Sequence, residues 1–311
     1  GPWTHGSWAR GDGARVGNID FGQKTGAYYR ESIEFPFFAR VLKDAKVAEV
    51  AVATMFETGT NRWREFDVWP PRNVAPRAFF LRESGGLAAR PPASDDAFDE
   101  YIADPARPVP YVSHVQMGMQ GDYMTEDQRF SAKRPDVLVY QTDPLDEDLT
   151  VLGPIKVTLH VATSGTDSDF VVKVMDVYPT TFPQPEWTGP APRPANYVRM
   201  GGYQQLVRGE PFRGKFRRSF EKPVPFVPDQ PDVVEFELPD VAHTFRAGHR
   251  LMVQVQSSWF PLTDRNPQTF TDIPRAKPED FKRATQRVFR SAARPSSITL
   301  LVEVPQSPST K

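Results

Sequence analysis

The sequence contains no cysteine, which excludes disulfides, thiolate catalysis and cysteine-ligated zinc. Such usage fits a reducing compartment and equally a disulfide-free exported protein, so the compartment stays open. No run of about 18 apolar residues occurs, so no helix of membrane-spanning length is expected. An excess of one charge is also missing. The 38 Lys and Arg residues face 39 Asp and Glu, for a net charge of −1, and nothing points to nucleic acid or an anionic membrane as partner. The GxGxxG and P-loop patterns that cradle phosphates are absent, and so is the GxSxG elbow of serine hydrolases. No HxxxH or HxH pair is present, so a histidine metal site is not expected; no cofactor is expected either. The opening Gly1-Pro2-Trp3-Thr4-His5 has no basic start, no apolar stretch and no initiating Met. It is no signal peptide, and the chain reads as beginning inside a longer protein.

What is present is a chain of 311 residues with 32 prolines and 20 glycines spread along it. That length suggests about two domains, and the punctuation suits short strands joined by turns. Residues 1–75 read differently from the rest. Gly-rich sequence from Gly6 to Gly26 precedes a helical pattern from Thr25 to Asp44, carried by Tyr28, Tyr29, Ile33, Phe37, Phe38, Val41 and Leu42. Pro36 should kink or divide that helix. Val47 to Met55 reads as a buried strand, so helix and strand together resemble the end of an α/β sheet domain. Pro70-Pro71 and Pro76 mark a linker.

From residue 76 to 305 a period of two recurs. Ile155, Val157, Leu159 and Val161 alternate with Lys156, Thr158 and His160. Val234, Phe236 and Leu238 alternate with Glu235 and Glu237. Leu251, Val253 and Val255 alternate with Gln254 and Gln256, and Ile298, Leu300, Val302 and Val304 form a closing strand. Further strands are expected near Ala78–Arg82, Val137–Thr142, Phe170–Tyr178, Tyr197–Val207, Phe216–Val224 and Ala284–Arg290, with a short helix over 279–290 as the alternative for the last. Strands with one polar face stack as two sheets around one core. The fold class is therefore mainly β: a C-terminal jelly-roll β-sandwich over 76–305, preceded by the end of an α/β domain. Residues 306–311 are expected to be a disordered tail.

Few residues are candidates for chemistry. His5 sits on a tight Gly- and Pro-bounded loop that Trp3 can wall, where a catalytic histidine is at home. From spacing alone it reads rather as a loop histidine bonded to a backbone carbonyl. His114, His160, His243 and His249 suggest solvated or hydrogen-bonded roles. Asp167 and Asp169 have the residue type of calcium ligands but read better as turn formers. Asp143, Asp146, Glu147 and Asp148 read as a solvated loop. Trp259 and Phe260, at the end of a strand, either line a pocket or pack against a neighbouring domain.

Several segments together resemble the CocE/NonD-type serine hydrolase family, which includes cocaine esterase, α-amino acid ester hydrolases and glutaryl-7-aminocephalosporanic acid acylase, with Xaa-Pro dipeptidyl-peptidases more distant. Gly1-Pro2-Trp3-Thr4-His5 is similar to its GPWxH motif. Thr58-Gly59-Thr60-Asn61-Arg62-Trp63 with Trp69-Pro70-Pro71 matches its passage into the last domain. Asp104 through Tyr111, Asp127-Gln128-Arg129 with Arg134 through Leu138, and Ser257 through Pro261 with Arg265-Asn266-Pro267 match three more signatures in family order. The resemblance covers essentially the whole chain, as the family's C-terminal half. It implies that residues 1–75 end an α/β-hydrolase domain, that His5 is the catalytic base, and that Trp3, Trp259 and Phe260 lie at the substrate or domain interface.

In acyl transfer a histidine frees a serine of its proton, an acid orients the histidine, and backbone amides hold the oxyanion. In α/β-hydrolases the order along the chain is Ser, acid, His. Only four residues precede His5, so the serine, acid and oxyanion hole are expected upstream, and this chain alone should not hydrolyse esters. The implied partners are that upstream hydrolase segment and a small ester or amide, α-amino acyl esters first, with transfer to β-lactam nuclei conceivable. A homo-oligomer is also conceivable. The rival is a binding module, with Trp187, Tyr197 and Trp259 stacking on sugar rings.

Overall fold

The computed structural model describes residues 1–115, 118–119, 121–185 and 198–304; the expected tail lies outside them, as do Trp187 and Tyr197. The chain opens with a short helix α1 (Ser7–Arg10) and two-residue strands β1 (Arg15–Val16) and β2 (Ile19–Asp20). Helix α2 (Thr25–Tyr29) runs through a π turn (Arg30–Glu34) into α3 (Phe35–Lys43). Pro36 therefore does not divide the helix. It lacks an N–H and crowds the carbonyl one turn back, and the wider π turn just before it absorbs the mismatch.

A hairpin follows, β3 (Ala53–Glu57) and β4 (Arg62–Phe66), as a two-stranded sheet of its own. The expected buried strand over Val47–Met55 is thus corrected. Residues 45–52 form no regular element, Val52 is exposed, and regular pairing starts only at Ala53.

The remaining strands are β5 (Val74–Leu81), β6 (Leu87–Ala88), β7 (Phe98–Ala103), β8 (Leu138–Gln141), β9 (Leu149–Thr163), β10 (Asp169–Val177), β11 (Gln204–Arg213), β12 (Asp232–Phe245), β13 (Arg250–Gln256), β14 (Ala284–Phe289) and β15 (Ser297–Glu303). They form two antiparallel sheets. One has four strands in the order β11-β10-β13-β8; the other has seven, β6-β5-β15-β9-β14-β7 with β12 paired to β9. Between them lies one core, with Val157, Leu159 and Val161 from β9 facing Phe170, Val172 and Val174 from β10 and Leu251, Val253 and Val255 from β13. Each such fully buried side chain contributes roughly 1.5–3 kcal/mol, which is why the period-two pattern predicts the strands so well.

Three expectations need correcting. Phe216–Val224 is not a strand: a 3-10 turn (Gly214–Phe216) ends β11, and no strand is formed again before Asp232. The strand expected from Tyr197 instead begins at Gln204. The polar side of β13 is not a solvent face either, since Gln254 and Gln256 are fully buried, as is Lys173 on β10. The long excursion between β7 and β8, with its short helix α4 (Arg129–Ala132), covers that face. It brings Tyr111, Val112 and Tyr123 onto Val171, Met175 and Met252.

The hairpin is bonded to the sandwich rather than to the helices. Glu57, fully buried, accepts from Arg64 (2.6 Å), Thr244 (3.1 Å) and Thr60, while Arg64 also donates to Glu303 (2.6 Å), which Asn73 holds from the other side (3.0 Å). Burial alone would raise the Glu57 carboxyl, but the hydrogen bonds from Thr60 and Arg64 outweigh it and hold it below the usual range.

Candidate active site

The His5 loop is built by its glycines and its tryptophan. Gly6 has φ 72°, a left-handed turn that a side chain resists, and it reverses the chain into α1. The Trp3 Nε1–H donates to Thr25 Oγ1 (2.8 Å), and that hydroxyl donates to the Gly13 carbonyl (2.6 Å). The Trp3 ring then lies against Tyr29 (5.0 Å), Trp63 (6.2 Å) and Trp8 (6.3 Å) between ring centroids. Arg30 closes α1 by donating to the Gly11 carbonyl (2.8 Å). Trp3 is thus a structural wall of the loop, tied to α2 and to the hairpin.

His5 itself is exposed, and its ring meets only the edge of Trp8, 6.2 Å away. Among the described residues no carboxylate, hydroxyl or carbonyl bonds to it. The neighbouring candidates are engaged elsewhere: Ser7 Oγ donates to the Thr4 carbonyl (2.9 Å), Asp12 caps Ala14 (3.1 Å), and Asp20 takes Arg15 (2.6 Å) and the Gly22 amide (2.8 Å). Among the described residues, then, the exposed imidazole has neither a hydroxyl nor a carboxylate as hydrogen-bond partner.

The sequence pattern did not show that the sandwich reaches this loop. A 3-10 turn (Gly121–Thr125) packs on it, so closely that a Cβ on Gly121 would come within 2.6 Å of the Thr4 side chain. Thr125 also donates to the Val16 carbonyl (2.9 Å).

Trp259 and Phe260 are not brought to His5 by any contact. Trp259 is 3% exposed and packs between Tyr123 (5.9 Å) and the Lys173 ammonium (5.3 Å). Of the two roles open to it, pocket lining or packing, its burial accords with packing and leaves no exposed ring face for a sugar. Phe260 is partly exposed, and its backbone pairs with Val109 (2.9 Å) and Tyr111 (2.9 Å). Arg265 donates to the Pro105 carbonyl (2.9 Å), and Arg134 to that of Arg107 (3.0 Å). Three signature segments therefore form one laced surface.

Asp167 and Asp169, read as turn formers, are both buried. Asp167 accepts the amides of Ser168 (2.9 Å) and Lys215 (3.1 Å); Asp169 accepts Asn266 (2.7 Å) and is pushed up to about 6 by burial, against the pull of Arg213. The larger surprise is His243 and His249. Both are buried, and both face Asp176, with His249 Nδ1 2.8 Å from Oδ1 and His243 Nε2 3.3 Å from Oδ2. The available signal was a lone carboxylate near the end of the apolar run of β10 opposite two histidines across one turn.

A family model described as the X-Pro dipeptidyl-peptidase C-terminal non-catalytic domain matches residues 45–299. The chain is similar to the cocaine esterase of Rhodococcus sp., 30% identical over 96% of this chain and 50% of the relative. It is also similar to two solved structures. One is an aminopeptidase from a marine sediment Thaumarchaeota archaeon, at 41% identity and a TM-score of 0.87 over 98% of this chain and 49% of that one. The other is an α-amino acid ester hydrolase, at 39% identity and a TM-score of 0.85 over 97% and 49%. The chain spans about half the length of these relatives. The matched family region starts after the His5 loop and includes the hairpin.

Proposed function

Because the chain belongs to the family of X-Pro dipeptidyl-peptidase C-terminal non-catalytic domains, we propose that it is the C-terminal half of a serine hydrolase that cleaves esters or amides of small acyl groups. The preferred substrates are α-amino acyl esters; transfer to β-lactam nuclei and release of Xaa-Pro dipeptides are variants of the same acyl transfer. His5 is the base that takes the serine proton and later returns it to the leaving group. The serine, the acid and the oxyanion hole belong to an α/β-hydrolase segment whose end is residues 1–75, and the sandwich acts as a jelly-roll buttress.

One observation carries this reading: an exposed imidazole on an aromatic-walled loop, to which none of the described residues hydrogen-bonds. A second supports it. Helix α3 leaves Phe35 (68%), Phe38 (49%) and Leu42 (72%) exposed, an apolar face suited to a further layer of structure.

The test compares this chain with the intact polypeptide on p-nitrophenyl esters, α-amino acid methyl esters and Xaa-Pro anilides. The chain alone is expected to be inert and the intact protein active, with loss of activity in His5→Ala. Turnover by the chain that survives His5→Ala contradicts the proposal.

A further inference from the structure

The turn between β3 and β4 is held at its tip by a chain of buried polar groups that acyl transfer does not use. Thr58 Oγ1 lies 2.7 Å from His243 Nδ1, and His243 turns its other nitrogen to Asp176 (3.3 Å), which His249 holds from the far side (2.8 Å). The Thr58 hydroxyl also reaches the Ala242 carbonyl (3.3 Å), so it sits between that carbonyl and the imidazole, while His243 Nε2 faces the carboxylate without hydrogen-bond geometry. The backbone repeats the contact: Thr58 N–H donates to the Ala242 carbonyl (3.0 Å), and Thr244 N–H to that of Thr58 (2.9 Å). A bulge in β12 between Leu238 and Val241 shifts the register just before His243.

These groups span the molecule. Asp176 belongs to the four-stranded sheet and His243 to the seven-stranded one. Thr58 belongs to the turn, whose Asn61 carbonyl takes Gln23 (2.5 Å) and whose Trp63 meets Trp3. Thr58 and His243 also line a cavity of about 230 Å³, which Gly1, Pro2 and Trp3 line as well.

We propose that Asp176, His243 and Thr58 form a latch that fixes the 58–63 turn on both sheets and thereby positions the Trp3–His5 loop for proton transfer. They are positioning residues, and the inference rests on the reading of His5 as the base. Thr58→Val keeps the shape and removes the hydroxyl; Thr58→Ser restores it. In the intact protein, Thr58→Val is expected to lower kcat about tenfold with KM within about twofold, since small misplacements of a catalytic group act on the chemical step. Thr58→Ser should recover kcat to within about twofold.

In the 311-residue chain the near-ultraviolet circular dichroism of the Trp3–Trp63 cluster should weaken in Thr58→Val and return in Thr58→Ser, with equal unfolding midpoints in all three. A Thr58→Val signal identical to the unsubstituted one overturns the latch, and so does an unfolding midpoint that falls in parallel with kcat in both variants. An intact protein with no His5-dependent turnover removes the hydrolase reading instead, while the dichroism still decides the latch.

Discussion

Replacing Lys173 by Met should stabilise the protein more at low pH than at high pH, relative to the original. Lys173 is fully buried on the outer face of β10, and its ammonium has one hydrogen-bond acceptor, Gln128 Oε1 at 3.0 Å, and the Trp259 ring. Burial lowers it from 10.5 to about 7. A lysine with a depressed folded value destabilises fully below that value, where folding must bury the cation. The penalty is relieved as pH climbs from about 7 towards 10.5, because the unfolded chain still binds the proton there and the native chain does not. At about pH 6 the cost is on the order of 4–5 kcal/mol, and at about pH 9 on the order of 2 kcal/mol. The difference, roughly 2–3 kcal/mol, does not depend on the pH-independent cost of leaving Gln128 without its donor, roughly 1–3 kcal/mol. Urea unfolding of Lys173→Met and the unsubstituted chain at both pH values reads it directly. The Met variant should gain on the original by roughly 2–3 kcal/mol more at the lower pH. Parallel pH profiles would refute the reasoning, because they would mean that Lys173 stays charged where it is buried.

Other perturbations probe the frame around the site. Glu57→Gln should cost about 2–4 kcal/mol at neutral pH by leaving Arg64 and Arg62 short of a partner. The gap should close as pH falls below the ordinary carboxylate range, because the lowered Glu57 contributes stability above it and loses it on protonation; thermal unfolding across pH checks this. Gly59→Ala should cost upwards of about 2 kcal/mol, since Gly59 has φ 88° and a Cβ there would fall 2.0 Å from the Thr244 carbonyl; the melting temperature reports it. Phe38→Lys with Leu42→Lys should leave the melting temperature of this chain unchanged while reducing self-association in light scattering. An unchanged scattering signal would show that the α3 face is not sticky.

Much of the sandwich was legible because β9, β12 and β15 bury one face and wet the other, so alternation survives in the sequence. It failed where that condition failed. In β10 and β13 both faces are buried, and Lys173, Gln254 and Gln256 look like solvent positions only until the 104–134 excursion is known to cover them. Phe216–Val224 has strand-like residues, yet Phe216 and Phe220 stack on each other (6.0 Å) in an irregular loop. Residues 47–52 are largely apolar without being paired, and only Ala53–Met55 of that run joins a strand.

At the site, the His5 loop could be located from glycine, proline and the family signature. Its contact with Gly121 could not, because 116 residues separate them and only the fold joins them. The Asp176 cluster stayed hidden for the same reason: a carboxylate and two histidines drawn from different strands leave no local pattern.

The most direct measurement is the site of covalent labelling when the intact polypeptide meets a fluorophosphonate probe. The account predicts a single labelled serine outside residues 1–311, with labelling slowed at least about a hundredfold by His5→Ala, the scale of a lost general base. A label on a hydroxyl within this chain, or labelling indifferent to His5, would contradict it.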